Sequence, residues 1–542
     1  MTVQTAATMR SGIIGPKQTA PQAASLPSEA EITAFLADPS SYPEPPERVD
    51  VIETHAARIF LAGEDVFKIK KHVRLPYLDF ATLPAREATL ARELELNRPA
   101  APDIYLGIKR ITRENGGLAF DGIGETLEFA LHMRRFAQED VLSQAAVDGR
   151  IDRPLAKSIA DVVFVAHEAA PVATEGDGIA RFEKIIADVA EACGASRDEQ
   201  IRSQRATFAD EARAHLDRVR PLLAERARAG FRRRCHGDLH LGNMVLWHSQ
   251  PLPFDALEFD EDLATIDVFY DLAFLIMDLD HKGLRPRAND VLNRYLWRAD
   301  VRNLEGLAAL PLFLALRAGI RAMVDLHRIA GADAPLPDVL TDAQRYLEQA
   351  LQDLAPARPA LIAVGGLSGS GKSTLAAALA PIFGASPGAI HLRSDLERKK
   401  LFRIGETERL PDEAYARTVT ERIYATLNQK AASVLATGYA VIVDAVHSTL
   451  EERAAVERVA QEQGVPFLGL WLDAPSAVLK DRVTMRKDDA SDATADVVAR
   501  QLTYDLGDIT WHRLDASQQF NETCAKAANL IEALDHAGDT ET

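Results

Sequence analysis

The spacing of hydrophobic and polar residues changes along the chain and divides it into two predicted regions. In the first region, apolar residues follow the two-residue period of β-strands and then the longer period of helices. Period two places Lys68 and Lys70 on the same face of their strand. The predicted elements are strands at 51–52, 58–61 and 66–70, short helices at 29–37 and 84–97, and longer helical stretches from about 140 to 229 and from 266 through 351.

In the second region, which begins at Ala360, strands and helices alternate. This alternation is typical of βαβ units and predicts a parallel sheet with helices on both faces. Only helices are predicted beyond residue 472. The predicted strands of this region lie at 361–364, 391–393, 440–443 and 467–472.

Composition and proline positions set the predicted domain boundaries. Residues 1–28 are rich in Ala, Thr, Gln, Pro and Ser, which predicts a disordered tail. Pro356 and Pro359 predict a short stiff linker. The predicted organisation is a tail at 1–28, a first domain at 29–350, a linker at 351–359, a second domain at 360–535 and a tail at 536–542.

Length and charge bound the class of protein. The chain has 542 residues, which exceeds the roughly 250–300 residues at which single cores stop growing. Apolar residues make up 47% and charged residues 26%, as in soluble globular proteins. The net charge of −18 argues against a nucleic-acid partner, because such binders normally carry a basic face. The three cysteines show neither metal-ligand spacing nor a disulfide framework, so we expect a cytoplasmic protein.

No membrane segment is predicted. The most apolar stretch, 307–324, is interrupted by Arg317 and Arg321, whereas a spanning helix needs about 20 predominantly apolar residues. These two arginines fit either a substrate-binding role or a bundle helix at a domain interface. The N-terminus carries Arg10 and Lys17 without an apolar segment, so no secretory signal is predicted.

Residues 366–374 read G-L-S-G-S-G-K-S-T and fit the phosphate-binding pattern G-x-x-x-x-G-K-[ST]. The motif lies between a predicted strand and a predicted helix, and its glycines let backbone N–H groups face the phosphates of a nucleotide. Lys372 would place a cation on the β- and γ-phosphates, and Ser373 would place a hydroxyl on Mg²⁺. The predicted ATP-binding residues are Gly366, Ser368, Gly369, Ser370, Gly371, Lys372, Ser373 and Thr374.

A second phosphate-handling pattern lies upstream, at 236–243. The sequence H-G-D-L-H-L-G-N matches the catalytic-loop pattern H-x-D-x-x-x-x-N. In that chemistry Asp238 accepts the proton of the attacking hydroxyl and Asn243 holds Mg²⁺. A further carboxylate is expected on the next hairpin, where Asp255 is the first choice and Glu258 is close enough to compete.

These residues give the first region, roughly 29–350, a resemblance to the aminoglycoside phosphotransferase family, a branch of the protein-kinase-like fold. The lysine strand and the segment Tyr270-Asp-Leu-Ala273 add to the resemblance. It implies a bilobal fold with a lysine at the ATP phosphates and a helix glutamate as the partner of that lysine. Lys70 and Glu87 are the second choices for these two roles. The implied site residues are Asp238 as the base, Lys68 and Glu93 at the ATP phosphates, and Asn243 and Asp255 at the metal.

One segment departs from this family. Glu53-Thr-His-Ala-Ala57 stands where the family has a glycine-rich loop, and it contains no glycine. This departure favours a binding or regulatory module, whereas the intact Asp238 and Asn243 favour an active site. Because one fold can carry many functions, the resemblance does not establish aminoglycosides as substrates.

The second region, about 359–535, resembles P-loop kinases grouped with zeta toxins, gluconate kinases and phage polynucleotide kinases. The resemblance rests on the P-loop, on Leu392-Arg-Ser-Asp-Leu-Glu-Arg-Lys399 and on Ala440-Val-Ile-Val-Asp-Ala445. Asp395 is placed to activate a substrate hydroxyl as general base. Asp444 ends an apolar strand, as the carboxylate of a nucleotide-bound metal does.

Two arginines complete the implied site. Arg482 and Arg486 lie four residues apart on a predicted helix and resemble lid arginines that neutralise charge during phosphoryl transfer. They also fit a solvated basic face. Asp395 also fits the role of a helix N-cap, and Asp444 also fits a polar loop residue that binds no ligand.

Over nearly its full length the chain is similar to bacterial bifunctional aminoglycoside phosphotransferase/ATP-binding proteins. We therefore predict an ATP- and Mg²⁺-dependent phosphotransferase with two nucleotide-handling domains that acts on a hydroxyl of a small molecule. The alternatives are a regulatory first domain that controls the P-loop kinase, a nucleic-acid 5′-hydroxyl kinase, and a toxin-like kinase of a nucleotide sugar. The acceptor, the choice between ATP and GTP and the oligomeric state do not follow from the sequence.

Overall fold

The computed structural model describes residues 29–54, 56–75, 78–114, 116–332, 334–485 and 489–537. The predicted tail at 1–28, residues 538–542 of the second predicted tail, and Arg486 lie outside the described residues. The chain divides into two compact units, and each is assembled from more than one stretch of sequence. The N-terminal unit comprises residues up to 213, 223–278 and 316–350, and the P-loop unit comprises 214–222, 279–315 and 351 onward.

The secondary structure follows the predicted pattern over many of the described residues, but three strands, at Tyr105–Glu114, Gly117–Phe120 and Glu125–Arg134, lie where no element was predicted. The strands are β1 (Val49–Glu53), β2 (Ala57–Ala62), β3 (Asp65–Lys70), β4 (Arg74–Leu75), β5 (Leu78–Asp79), β6 (Tyr105–Glu114), β7 (Gly117–Phe120), β8 (Glu125–Arg134), β9 (Arg232–Arg234), β10 (Met244–Trp247), β11 (Gln250–Pro253), β12 (Thr265–Asp267), β13 (Leu361–Gly365), β14 (Ile390–Arg393), β15 (Val441–Asp444), β16 (Phe467–Asp473) and β17 (His512–Asp515). The α-helices are α1 (Glu29–Ala37), α2 (Leu83–Asn97), α3 (Leu142–Val147), α4 (Arg153–Ala169), α5 (Ile179–Ala195), α6 (Glu199–Arg228), α7 (Glu261–Ala264), α8 (Val268–His281), α9 (Arg285–Arg298), α10 (Leu310–Ala330), α11 (Pro337–Leu354), α12 (Lys372–Leu379), α13 (Ser394–Phe402), α14 (Arg417–Ala436), α15 (Leu450–Gln463), α16 (Ser476–Met485), α17 (Ala495–Gln501) and α18 (Phe520–Ala537).

The N-terminal unit contains a six-stranded antiparallel sheet in the order β1-β2-β3-β8-β6-β7. Both faces of β3 are covered: Phe67 and Ile69 join the apolar cluster that includes α1, and Val66 joins the cluster that includes α2. Successive side chains of a strand point to opposite faces. Lys68 and Lys70 therefore share the face of Val66 and point toward α2.

Helix α2 presents its own buried face to this side of the sheet. The Thr82 hydroxyl caps its first turn by accepting from the N–H of Ala85 at 3.4 Å. Leu90 and Glu93, three residues apart, are both buried on this helix. The helix thus carries an apolar anchor and a carboxylate on the face that meets the two lysines.

The 236–243 motif leads into a hairpin formed by β10 and β11. Its register pairs Met244 with Pro253, and the N–H of Phe254 donates to the carbonyl of Asn243 at 3.0 Å. Asp255 directly follows Phe254. Asn243 and Asp255 therefore leave the hairpin at the same end.

The P-loop unit contains a five-stranded sheet in the order β14-β15-β13-β16-β17, in which every pairing is parallel. The central strands are continuous apolar runs, as expected where helices cover both faces. The sequence analysis was wrong beyond residue 472, where it expected only helices. β17 is an edge strand in which only Leu514 is buried, so it lacks the apolar run that identifies a strand.

Helix α9 belongs to the P-loop unit, although the sequence analysis placed it in the first domain. The side-chain carbonyl of Asn293 accepts from the backbone N–H of His391 at 2.7 Å. The indole N–H of Trp297 donates to the carbonyl of Leu396 at 3.0 Å, and the ammonium of Lys400 donates back to the carbonyl of Trp297 at 2.6 Å. Helical periodicity shows that a face is buried but does not reveal which sheet it covers.

One helical stretch among the described residues has the length and composition of a membrane-spanning segment. It runs from Val301 to Ala330, and its most apolar window has a mean hydropathy of 1.7. Within the structure 83% of that window is buried, as in core helices.

Candidate active sites

The P-loop connects β13 to α12, and its backbone requires glycine at two positions. Gly366 has a φ of +136° and Gly369 a φ of +85°, values that side chains rarely allow. A Cβ at Gly366 would lie 2.6 Å from the carbonyl oxygen of Leu472, and a Cβ at Gly369 would lie 2.5 Å from that of Leu479. The loop can follow this path only with glycine.

The start of α12 has the properties of an anion site. Gly371 is the N-cap and offers no side-chain cap, so the first N–H groups of the helix remain available to a ligand. The ammonium of Lys372 donates to the carbonyl of Leu367 at 3.1 Å, which folds the side chain back onto the loop. The hydroxyl of Ser370 is buried and has no hydrogen-bond partner in the described part of the chain. This glycine path and these donors fit phosphate groups.

Parallel register brings the ends of three neighbouring strands together beside the loop. Val364 of β13 pairs with Asp444 of β15, and Asp444 pairs with Arg393 of β14. Asp395 lies in the first turn of α13. The N-cap of α13 is Arg393, and no side chain caps this helix, so Asp395 does not serve as the N-cap.

The two carboxylates at this edge have opposite electrostatic environments. Burial alone would raise the pKa of Asp444, but a hydrogen bond from His391 Nε2 at 3.2 Å and the charges of Arg393 and Lys372 hold the pKa well below its ordinary value. Burial raises the pKa of Asp395, and the charge of Asp444 adds to this, although Arg393 opposes it. Asp444 is thus kept ionised, whereas Asp395 takes up a proton more readily.

A cavity of about 410 Å³ adjoins the P-loop. Gly369, Thr374, Arg482 and Phe520 are among the residues that line it. The guanidinium of Arg482 donates to the carbonyl of Ala516 at 2.8 Å, which fixes it against the cavity wall. The size suits a nucleoside, for which pockets start at about 300 Å³.

In the N-terminal unit, two buried lysines share one glutamate. The ammonium of Lys68 lies 2.6 Å from Glu93 Oε1 and 2.8 Å from Asp255 Oδ1. The ammonium of Lys70 lies 2.7 Å from Glu93 Oε2 and 2.6 Å from Glu258 Oε1. Burial alone would lower the pKa of Lys68, but Asp255 and Glu93 outweigh it and raise the pKa well above its ordinary value. Both lysines are therefore permanently charged.

Asp238 and Asn243 meet at the motif that contains them. Asn243 Nδ2 donates to Asp238 Oδ2 at 3.0 Å, and His240 Nε2 lies 3.6 Å from the same oxygen. Burial alone would raise the pKa of Asp238, but His240 outweighs it and lowers the pKa to about 2. The side-chain oxygen of Asn243 is buried and accepts no hydrogen bond from any described residue. An amide oxygen left in this state fits a metal ligand.

Asp271 holds the backbone of this catalytic loop. Its carboxylate accepts from the N–H groups of Gly237 at 2.9 Å and His236 at 3.1 Å, and His167 Nε2 lies 3.2 Å away. Arg317 is also buried here and donates to the carbonyl of Gly237 at 3.3 Å. Arg317 therefore supports the loop from within the unit.

Comparison with known proteins places the chain in a family. A family model described as an AAA domain matches residues 361–504. An uncharacterized protein of Mycobacterium tuberculosis (strain ATCC 25618 / H37Rv) is 30% identical over 497 residues, which cover 89% of this chain and 95% of that protein. An uncharacterized protein of Mycobacterium bovis (strain ATCC BAA-935 / AF2122/97) matches with the same values. The chain belongs to the family of these mycobacterial proteins.

Solved structures resemble parts of this family member. A gluconokinase from Sinorhizobium meliloti 1021 is 21% identical, covers 34% of this chain and 99% of its own, and has a TM-score of 0.26. The Mycobacterium tuberculosis APS kinase CysC in complex with AMPPNP and APS is 22% identical, covers 33% and 99%, and has a TM-score of 0.25. An ethanolamine kinase from Plasmodium vivax is 11% identical, covers 56% and 81%, and has a TM-score of 0.35. These scores are too low to assign a function.

The AAA-domain match contains the P-loop, Asp395, Asp444 and Arg482, and the N-terminal site lies outside it. The resemblance of the first region to aminoglycoside phosphotransferases thus stays a prediction. Glu87, the second choice as lysine partner, is exposed, whereas Glu93 contacts both lysines.

Sequence reasoning missed several residues that shape these sites. None lies in a motif position with an assigned role; four of them contact a motif residue, and His167 contacts Asp271, which is one of these four. His391 lies next to Leu392 near the end of a strand, and Asp271 lies in the segment 270–273, which supported only the family resemblance. A polar residue at a position expected to be buried was the sequence signal that could have identified both. The missed residues are His391, Arg393, Asp271, His240 and His167.

Replacing Gly369 with alanine tests the P-loop path. We expect Gly369→Ala to weaken nucleotide binding at least about tenfold, because its Cβ would clash with the Leu479 carbonyl. Gly438→Ala is the matched control, since Gly438 has a φ of +87° but open space for a Cβ, and it should cost about 1–2 kcal/mol of stability. Binding of a fluorescent ATP analogue and thermal unfolding measure the two effects. Wild-type nucleotide affinity in Gly369→Ala would contradict the assignment.

Replacing Glu93 tests the buried charge cluster through pH. Lys68 and Lys70 outweigh burial and lower the pKa of Glu93 below its ordinary value of 4.5, so its ionised form stabilises the fold above that pH and the stabilisation fades as pH falls below it. We expect Glu93→Gln to lose about 3 kcal/mol at pH 7 and progressively less below pH 4.5. Urea unfolding measures this, with Glu87→Gln, exposed on the same helix, as the control. An equal, pH-independent loss in both variants would refute the cluster.

Proposed function

We propose that the P-loop unit transfers the γ-phosphoryl group of ATP to a hydroxyl of a small molecule. The observation that carries this proposal is the meeting of the P-loop, Asp444 and Asp395 at the carboxyl ends of three adjacent parallel strands. Ligands of open parallel sheets bind at this edge. The AAA-domain match over residues 361–504 supports nucleotide binding by the same residues.

The residues present fit ATP and Mg²⁺. The backbone N–H groups of the loop and Lys372 would hold the phosphates, and Ser373 and Asp444 would hold the metal. The path that only glycine allows and the buried Ser370 hydroxyl support this assignment. When bound, ATP supplies the phosphoryl group and Mg²⁺ offsets part of its charge.

The chain contributes proton transfer and charge. An Asp395 carboxylate oxygen takes the proton of the acceptor hydroxyl, and its raised pKa makes it a better base than an ordinary aspartate. Lys372 and Arg393 supply positive charge beside the two carboxylates. Arg482 lines the adjoining cavity and is placed to contact the nucleoside, which assigns it to binding.

We expect Asp395→Asn to lower kcat by about 10²–10⁴-fold with little change in ATP affinity, because the amide cannot accept the proton. Lys372→Ala should lose both ATP binding and turnover. ATP consumption with pooled hydroxyl metabolites and aminoglycosides measures turnover, and Asp412→Asn, an exposed aspartate of the same unit, is the control. Unchanged kcat in Asp395→Asn would remove Asp395 as the base.

For the N-terminal unit we propose a second kinase-like site built from Lys68, Glu93, Asp238, Asn243 and Asp255. The lysine–glutamate contact of 2.6 Å supports it, as does the Asn243 oxygen, which accepts no hydrogen bond within the described ranges. The segment between β1 and β2, where the family has a glycine-rich loop, favours a regulatory role over catalysis for this unit. There, the Thr54 hydroxyl accepts from the N–H of Ala57 at 2.9 Å, so a side chain rather than glycine backbone forms the turn.

Comparing Asp238→Ala with Lys372→Ala separates these two roles. If both units turn over ATP, each variant loses a distinct part of the turnover and the double variant loses all of it. If the N-terminal unit is regulatory, Lys372→Ala alone abolishes turnover and Asp238→Ala leaves the chemistry of the P-loop unit intact. We expect the first outcome, and steady-state ATP consumption by the four proteins checks it.

A further inference from the structure

The N-terminal unit contains a cavity that neither proposed site uses. Its volume is about 450 Å³, and Asp238 and Lys68 are not among its lining residues. The start of α5, the last turns of α6, the α7–β12 segment and α10 form its walls. Apolar side chains dominate the lining and include Ile179, Phe182, Ile185, Leu223, Ile320 and Met323.

Two arginines face this apolar space with unused donors. Arg181 Nη1 donates to the carbonyl of Asp262, and Arg232 Nη1 donates to that of Glu175 at 2.5 Å. In both arginines Nε is withdrawn from solvent and has no hydrogen-bond partner among the residues that the structure describes. A buried N–H without a partner has lost its hydration without compensation, and a ligand that accepts from it offsets that loss.

The backbone at the cavity edge is shaped around one of these arginines. Gly178 has a φ of +73°, and a Cβ there would lie 3.3 Å from Arg232 Nε. Gly178 is also the N-cap of α5 and offers no side-chain cap. Glycine thus keeps the space beside the guanidinium open at a helix start that favours anions.

Most acidic groups around the cavity are already engaged. Asp188 pairs with Lys184 at 2.7 Å, and Asp267 pairs with Arg226 at 2.7 Å. Asp177 accepts from the N–H of Ile179 at 3.0 Å, and the carboxylate of Asp262 is exposed. Asp260, which acts on Arg181 through its charge, caps α7 by accepting from Leu263. The guanidinium groups of Arg181 and Arg232 therefore present the uncompensated donors of this cavity.

We propose that this cavity binds a small organic anion whose apolar body fills the pocket and whose carboxylate or phosphate accepts from Arg181 and Arg232. The volume lies within the 300–1,000 Å³ typical of small-molecule pockets. Guanidinium groups are suited to such oxyanions because they offer parallel donors. The assignment does not depend on either proposed kinase site.

The fluorescent probe 1-anilinonaphthalene-8-sulfonate, an apolar body with one anionic group, tests the proposal on the full-length protein. We expect one saturable site per chain in the presence of saturating Mg²⁺-ATP, displaced by decanoate and not by decanol. Arg181→Met and Arg232→Met should each weaken binding about tenfold or more. Arg213→Met, an exposed arginine on α6, is the matched control and should bind normally.

A second variant keeps the test independent of the arginines. Ala180 is exposed at the rim of the cavity, so Ala180→Trp should block entry without disturbing the core, and circular dichroism checks the fold. Equal probe binding by wild type, Ala180→Trp and both methionine variants would overturn the proposal. Displacement by decanol as readily as by decanoate would overturn the anionic class. Probe binding that is present without nucleotide and lost in saturating Mg²⁺-ATP would assign the probe to a nucleotide site and overturn the proposal.

Discussion

The parallel register of β13, β15 and β14 decides where the charged groups of the P-loop unit meet. β14 and β15 end at the paired residues Arg393 and Asp444, and β13 extends one residue past Val364, which pairs with Asp444. The P-loop, the Asp444 carboxylate and the helix that carries Asp395 therefore share one edge of the sheet. A shift of one residue would turn Asp444 to the other face of the sheet. A buried cluster on one face of the sheet, which includes Ile362, Val364 and Ile442, holds this register, and the chemistry of the edge follows from the packing of that core.

In the N-terminal unit, the charged side chains of the lysine–glutamate cluster are buried, so they have lost their hydration. Taking an ion out of water costs several kcal/mol even after relaxation, and only close pairing offsets this. Glu93 uses both of its oxygens for this pairing, one on Lys68 and one on Lys70. Lys68 also donates a hydrogen bond to the carboxylate of Asp255. Phosphates that bind Lys68 would therefore meet a carboxylate that already accepts from the same ammonium group.

Local sequence patterns predict many of the elements but not the three strands between 105 and 134, and they predict the contacts between distant elements poorly. Period two placed Lys68 and Lys70 on one face, and the P-loop spacing located the start of α12, because both depend on neighbours in the chain. The family resemblance gave Glu93 as first choice and Glu87 as second, and the rotation of α2 against the sheet decides for Glu93. The hold of Asp271 on the backbone of Gly237 depends on packing between elements far apart in sequence. β17 escaped notice because an edge strand with one buried residue has no distinctive periodicity.

Helix α9 has a consequence for how the chain acquires its structure during synthesis. The ribosome completes α9 before Leu361, the first residue of the sheet that this helix helps to cover, has been made. Val291, Leu292 and Leu296 are buried in the finished protein, yet the strands of their own unit do not exist when they emerge. The two units therefore cannot fold as consecutive, self-sufficient blocks, and a nascent chain halted near residue 350 exposes the apolar face of α9, to which chaperones can bind.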